Sequence, residues 1–275
     1  MLDPRRLCIH QVTLLRQCST PQFIEVMGRS DVRCTALWRE KTREYGIEKT
    51  ARLLADNGIA LSGYCFGGLI ASPDSGDAAR ARDDVRRALD EAAALKAPCL
   101  VFVAGGVDPR DKDIARIRAR VLDGVAELVA HARSVGVKIA LEPLHPMICA
   151  TRSVLSTMKL ANAWCDSLAA EDIVGIAVDT YAVWWDPEIE AEIARAGKRI
   201  CCFHVSDWLP DTQDLRFDRG MMGDGVIDIP RFRRMVEAAG YGGYVEVEIF
   251  SQRNWWQRDP FEVIGVVKDR AQTAV

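Results

Sequence analysis

The amino-acid sequence predicts a single (β/α)8 TIM barrel that occupies residues 1–275 as one domain. The length of 275 residues suits a barrel of this type. Strand-like apolar runs alternate eight times with amphipathic helical stretches, which favours parallel pairing of the strands. An open doubly wound sheet is the alternative. Such a sheet normally carries a glycine-rich phosphate turn after its first strand, and no such turn follows Leu14.

The eight predicted strands are short, and several of the intervening helices end at recognisable stops such as Asn57-Gly58 and Gly136. The predicted strands cover residues 7–14, 32–37, 60–66, 99–104, 138–144, 174–181, 200–205 and 243–250. The clearest helix predictions cover residues 47–57, 77–95, 114–134, 153–168 and 230–239.

Composition narrows the class of protein and its compartment. A net charge of −3 without a basic face argues against a nucleic-acid partner. Nine cysteines without a Cys-x-x-Cys pair favour a reducing compartment. No signal-like segment begins the chain, and no apolar run approaches the roughly 20 residues that span a membrane. We therefore expect a cytoplasmic protein with no membrane partner, and a homo-oligomer is compatible with the sequence.

Four late strands are apolar until they end in a side chain that can bind a metal. These residues are Glu142, Asp179, His204 and Glu248. The two-residue alternation of a strand turns all four toward the barrel interior, near its C-terminal mouth. Three carboxylates this close would repel one another, and a divalent cation relieves that repulsion. Oxygen-rich ligation with one imidazole favours Mn2+, with Mg2+, Co2+ or Zn2+ as alternatives.

Glu246 shares the inward face with Glu248 but lies one layer deeper. We therefore expect it to support the metal ligands from behind, although it could replace Glu248 as the ligand. In the other late strands the deeper layer holds the small residues Ala140, Ala177 and Cys202.

Other side chains follow strand ends, where a substrate would bind. His145 is a candidate proton donor or hydroxyl ligand, and Arg219 could bind a hydroxyl or a phosphate or lie at the surface. Either His10 or Gln11 should face inward from the first strand. Trp184 and Trp208 could form aromatic walls that suit the apolar faces of sugars.

The segments around these residues resemble the xylose-isomerase-like barrel family of sugar phosphate isomerases and epimerases. They read Leu-Glu-Pro-Leu-His-Pro at 141–146, Val-Asp-Thr-Tyr at 178–181, Phe-His-Val-Ser-Asp at 203–207, Val-Glu-Ile-Phe at 247–250 and Gly-Asp-Gly at 223–225. The resemblance implies that Glu142, Asp179, His204 and Glu248 bind the metal. It also implies that Glu142 and Glu248 form the acid–base pair. One position departs from the ketose epimerases of this family, which place a histidine where Ala182 lies, and this favours a different sugar, cyclitol or glycoside.

The expected activity is that of a divalent-metal-dependent isomerase or epimerase of a sugar, keto-sugar or cyclitol. It would act by proton abstraction next to a carbonyl, through a metal-stabilised enediolate. A lyase, either a dehydratase or a keto-glycoside eliminase, is the alternative on the same site. A non-catalytic sugar-binding barrel is a further alternative. An endonuclease IV-like enzyme would need a basic groove and more than the four histidines of this chain.

A neutral substrate is expected rather than a sugar phosphate. Acidic and aromatic residues, among them Asp207 and Trp208, follow the seventh strand, and no glycine-rich phosphate site follows either of the last two strands. Arg216, Arg219 and Arg253 count against this expectation, because two converging arginines could hold a phosphate.

Overall fold

Eight parallel strands close into a barrel in the computed structural model, which describes residues Met1–Val275. The barrel strands are β1 (Leu7–His10), β2 (Cys34–Trp38), β3 (Ala60–Gly68), β4 (Cys99–Val103), β5 (Lys138–Leu141), β6 (Val174–Asp179), β7 (Ile200–Val205) and β10 (Val245–Val247). Each pairs with its neighbours along the chain, and β10 closes the ring between β7 and β1. A short antiparallel pair, β8 (Asp207–Trp208) and β9 (Arg219–Gly220), lies outside the barrel. The predicted fold class is confirmed.

Helices connect the strands. They are α1 (Thr20–Arg29), α2 (Arg39–Tyr45), α3 (Ile47–Asn57), α4 (Ser75–Ala94), α5 (Ile114–Val135), α6 (Met158–Leu168), α7 (Thr180–Val183), α8 (Ile189–Ala196), α9 (Ile229–Ala238) and α10 (Pro260–Thr273). Asp74, Asp113 and Thr157 cap the first turns of α4, α5 and α6 with side-chain oxygens that accept backbone N–H groups. None of the helices combines the length and the apolar character that a membrane span requires.

Several predicted elements were wrong in extent; for example, the fifth strand ends at Leu141 and not at residue 144, and the last strand covers only Val245–Val247. Two of the differences have a visible structural cause. The first strand ends at His10, and residues 11–14 form a 3-10 turn in which the Gln11 side chain accepts a hydrogen bond from the Trp38 N–H at 2.8 Å. The helix predicted for residues 153–168 begins only at Met158, because Ser153 pairs with Gly105 in an isolated bridge. The prediction of α3 over residues 47–57 is confirmed at both ends.

The interior of the barrel below its mouth is lined by small side chains. Ala140, Ala177 and Cys202 lie together in this layer, as the strand alternation predicts, and Cys99 lies against Cys202 with 3.3 Å between the two sulfur atoms. All nine cysteines are free thiols. The small layer leaves the larger polar side chains to occupy the mouth above it.

Candidate metal centre

The four predicted ligands meet at the C-terminal mouth of the barrel. Glu142 directly follows β5, Asp179 ends β6, His204 lies in β7 and Glu248 directly follows Val247 of β10. The backbone N–H groups of Glu142 and Glu248 still donate to carbonyls of neighbouring strands, at 3.1 Å each. All four residues are buried, and none is more than 6% exposed. Rigid strand ends therefore hold the polar groups, as in other barrels of this type.

Three of the four residues lie within reach of a single ion. His204 Nδ1 is 3.0 Å from Glu142 Oε1 and 3.8 Å from Glu248 Oε2. One potential ligand atom from each of Glu142, His204 and Glu248 lies within 4.8 Å of the others. The donor set of carboxylate oxygens with one imidazole fits a hard or borderline divalent ion.

Asp179 is joined to this cluster through Arg219. The Arg219 Nη1 donates to Asp179 Oδ2 at 3.1 Å and to Glu248 Oε2 at 3.0 Å. The guanidinium carbon also lies over the rings of Tyr181 and Phe250, at 4.4 Å and 4.9 Å from their centroids. Arg219, predicted from the sequence to contact substrate or to lie at the surface, is buried and holds two of the predicted ligands side by side.

Glu246 lies one layer deeper than Glu248. Its Oε2 accepts a hydrogen bond from Ser62 Oγ at 2.8 Å and lies 3.6 Å from His204 Nε2. His10 completes this deeper group, and its ring meets that of His204 edge-on with 5.4 Å between centroids. His10 therefore faces inward from β1, whereas Gln11 contacts the Trp38 backbone and the Thr20 hydroxyl.

Burial and mutual repulsion perturb the titration of these groups. The pKa of Glu142 is raised to about 7, because burial and the charges of Glu248 and Asp179 together outweigh the hydrogen bond and the charge of His204, which lower it. Burial likewise raises the pKa values of Asp179 and Glu246. The site thus concentrates more negative charge than its own side chains neutralise.

The two buried histidines respond in opposite directions. Burial alone would lower the pKa of His204, but the carboxylates of Glu248, Glu142 and Glu246 outweigh it and raise that pKa well above its usual value. Burial, His204 and Arg219 together lower the pKa of His10 well below its usual value. His204 approaches three of the carboxylates, whereas His10 approaches only Glu248, with 3.6 Å between Nε2 and Oε1.

The carboxylates open into a cleft with mainly apolar walls. The cleft has a volume of about 630 Å³ including its open mouth, and Trp38, Phe66 and Phe250 are among its lining residues. Sequence reasoning did not single out Phe66 or Arg152, which also lines the cleft. Phe66 was the last residue of the predicted third strand, and nothing in the sequence indicated that its ring points toward the mouth. No local sequence pattern distinguishes Arg152.

His145, Trp208 and Trp184 form a layered group at the rim. His145 is half-buried, lines the cleft, and lies 4.7 Å from Trp208 between ring centroids. Burial lowers the pKa of His145. Trp208 also stacks on Tyr181 at 4.7 Å, and Trp184 lies 5.8 Å from Trp208. The two tryptophans therefore lie behind the residues that line the cleft.

Residues 22–264 match the family model of the xylose isomerase-like TIM barrel. The chain belongs to this family. The crystal structure of protein SMc04130 from Sinorhizobium meliloti 1021 has a TM-score of 0.96 and 43% identity, and the match covers 99% of both chains. The IOLI protein, solved with a bound zinc atom, has a TM-score of 0.85 and 20% identity, over 98% of this chain and 99% of that one.

A curated relative of this xylose isomerase-like chain is the L-ribulose-5-phosphate 3-epimerase UlaE of Escherichia coli. The two are 26% identical over 154 residues, which cover 55% of this chain and 49% of the epimerase. The alignment thus spans about half of the length of that relative.

Proposed function

We propose that this protein is a divalent-metal-dependent isomerase or epimerase of a small sugar, keto-sugar or cyclitol. One observation carries the proposal: Glu142 and Glu248 reach the same cleft from strands that are separated in the barrel by β6 and β7. Both carboxylates approach the same nitrogen of His204, since Glu142 Oε1 lies 3.0 Å and Glu248 Oε2 3.8 Å from Nδ1. Two carboxylates that approach one substrate from different sides can remove a proton and return it elsewhere.

Glu142, Asp179, His204 and Glu248 would hold the ion. A bound divalent ion polarises a substrate carbonyl and so acidifies the neighbouring carbon. The carboxylate-rich donor set favours Mn2+, and Mg2+, Co2+ or Zn2+ would also fit it. The zinc atom of the IOLI structure supports metal binding by a protein of this fold.

Residues of the chain would carry out the proton transfers and position the substrate. Glu248, which accepts a hydrogen bond from Arg219 at 3.0 Å, would act as the base. Glu142 would donate the proton from the other side. His145 at the rim would bind or protonate a hydroxyl, and Glu246 would orient His204 from below. Return of the proton to the opposite face gives an epimer, whereas its return to the adjacent carbon gives an isomer.

The name of the Escherichia coli relative, an L-ribulose-5-phosphate 3-epimerase, supports a carbohydrate substrate and this class of reaction. The aromatic side chains that line the cleft suit the apolar face of such a substrate. A lyase would use the same base and expel a substituent from the next carbon, so the products decide between the two reactions. The nine free thiols favour the reducing environment of the cytoplasm.

The test is solvent exchange. The Mn2+-loaded protein is incubated in D2O with a panel of ketoses, ketose phosphates and inososes, and the products are analysed by NMR and mass spectrometry. Deuterium at a carbon next to the carbonyl, in a product of otherwise unchanged composition, is the expected result. Loss of water or of an aglycone would identify a lyase. The absence of both exchange and turnover across the panel would contradict the proposal.

A further inference from the structure

Two arginines at the mouth of the cleft lack acidic partners. Arg152 lies in the loop between β5 and α6, and Arg216 lies in the loop between β8 and β9. Both are half-buried, and both line the same cleft as Glu142 and Glu248. Neither guanidinium forms a hydrogen bond, and neither has a carboxylate oxygen within 4.0 Å, in contrast to Arg219 with its two carboxylates.

Aromatic rings support these two guanidinium groups. The Arg152 guanidinium carbon lies 4.9 Å from the centroid of the Phe66 ring, and that of Arg216 lies 4.7 Å from the centroid of Phe217. Stacking on a ring fixes the plane of a guanidinium and leaves its N–H edge free. The donors of Arg152 and Arg216 therefore remain available to a ligand in the cleft.

The charges around Arg152 and Arg216 also favour a bound anion. Burial lowers the pKa of both arginines, the charge of Arg216 lowers that of Arg152 further, and Arg219 acts in the same way on Arg216. The charges of Glu142 and Glu40 partly offset this effect on Arg152, and those of Glu40 and Asp214 partly offset it on Arg216. None of these carboxylates forms an ion pair with either arginine, and Glu40 is exposed. Two partly desolvated positive charges near one another are costly unless an anion binds between them.

We propose that Arg152 and Arg216 bind an anionic group of the substrate, a carboxylate or a phosphate. This inference rests on the proposed function, since it assigns the reacting carbon to Glu142 and Glu248. It replaces the expectation of a neutral substrate that the sequence favoured. That expectation rested on the loops after β7 and β10, where Arg253 proves to be exposed and outside the cleft. The arginine that lies near Arg216 is Arg152, from the loop after β5.

The experiment compares three matched groups of ketoses: neutral, 5-phosphorylated and carboxylated. Deuterium exchange in D2O is measured for each with the Mn2+-loaded wild type and with Arg152→Gln, Arg216→Gln and Arg253→Gln. An anionic group should raise kcat/KM by about tenfold or more. Arg152→Gln and Arg216→Gln should each remove about tenfold of kcat/KM, mainly through KM, for anionic substrates only. Arg253→Gln is the matched control and should behave as wild type. The phosphorylated and carboxylated groups identify which anion is preferred.

The outcomes separate this inference from the proposed function. Equal exchange of neutral and anionic ketoses, unchanged in both arginine variants, would overturn the anion site and leave the isomerase intact. If no compound exchanges, the proposed function fails, and calorimetric titration of the protein with inorganic phosphate and with malonate then decides the anion site. Binding that is lost in Arg152→Gln and Arg216→Gln would support the site, and no binding of either anion would refute it.

Discussion

Nδ1 of His204 lies 3.0 Å from Oε1 of Glu142, so a side chain of β7 and one that follows β5 are in direct contact at the mouth of the barrel. The contact brings an imidazole into a group of buried carboxylates whose charges are only partly compensated. The stability, metal binding and pH dependence of this site therefore depend on the groups that balance its negative charge: a divalent ion, Arg219 or bound protons.

Divalent ions should stabilise the protein through this group. With Mn2+ at one hundred times its dissociation constant, the stability gain should be about 2.7 kcal/mol, or roughly 5 °C or more in Tm. Differential scanning fluorimetry after chelation and after addition of Mn2+ measures it. His204→Ala should lose the shift, whereas His131→Ala, on the exterior at α5, should retain it. An equal shift in both variants would locate the ion elsewhere.

Glu248→Gln should reduce kcat by about a thousandfold, because the proposed base is lost while the shape of the side chain is kept. Glu246→Gln should reduce it much less, by about tenfold, since Glu246 lies below the cleft against Ser62 and His204. Initial rates with the best substrate from the exchange panel measure both. A larger loss in Glu246→Gln would exchange the roles of the two glutamates.

Arg219→Met should destabilise the metal-free protein by about 3–5 kcal/mol, because two buried carboxylates lose their shared counter-charge. Mn2+ should recover part of the loss. Arg258→Met provides the control, since its ion pair with Glu262 is exposed and should contribute little. Urea unfolding with and without Mn2+ gives the free energies of unfolding. A loss no larger than that of the control would mean that Arg219 is not required to balance Asp179 and Glu248.

The metal-free protein should become less stable as the pH rises from about 5 to 7. The pKa of Glu142 is about 7 in the folded chain against an ordinary value of 4.5, so the folded state binds more protons in this window. Deprotonation therefore favours unfolding. His204, whose pKa is also raised, extends the trend to higher pH, whereas His10 opposes it below an ordinary value of 6.5.

Comparison with Glu142→Gln isolates the contribution of Glu142. The variant should show a shallower loss of Tm over the same pH range, and the exposed Glu25→Gln should follow the wild type. Saturating Mn2+ should flatten the wild-type profile. Parallel profiles for Glu142→Gln and wild type would mean that the carboxyl of Glu142 titrates normally.

The strand-end residues could be predicted from the sequence because a two-residue alternation is local. Glu142 and Glu248 follow apolar residues whose spacing alone turns them inward. The bridge made by Arg219 could not be predicted, because it joins β9 to residues 40 and 29 positions away. Arg152 was missed for the same reason: no periodicity relates the loop after β5 to the loop before β9. The predicted start of α6 failed because a bridge from Ser153 to Gly105 overrode the local helical pattern.

Glu142, Asp179, His204 and Glu248 lie on or directly after strands, whereas Arg152 and Arg216 lie on connecting loops. Loops accept insertions, deletions and exchanges far more readily than barrel strands do. New substrate specificities can therefore arise in such a barrel by exchange of its loops, while the strands keep the metal site and the chemical step. Transfer of the two loops that carry Arg152 and Arg216 into another member of the family is a direct way to change the substrate specificity of that enzyme.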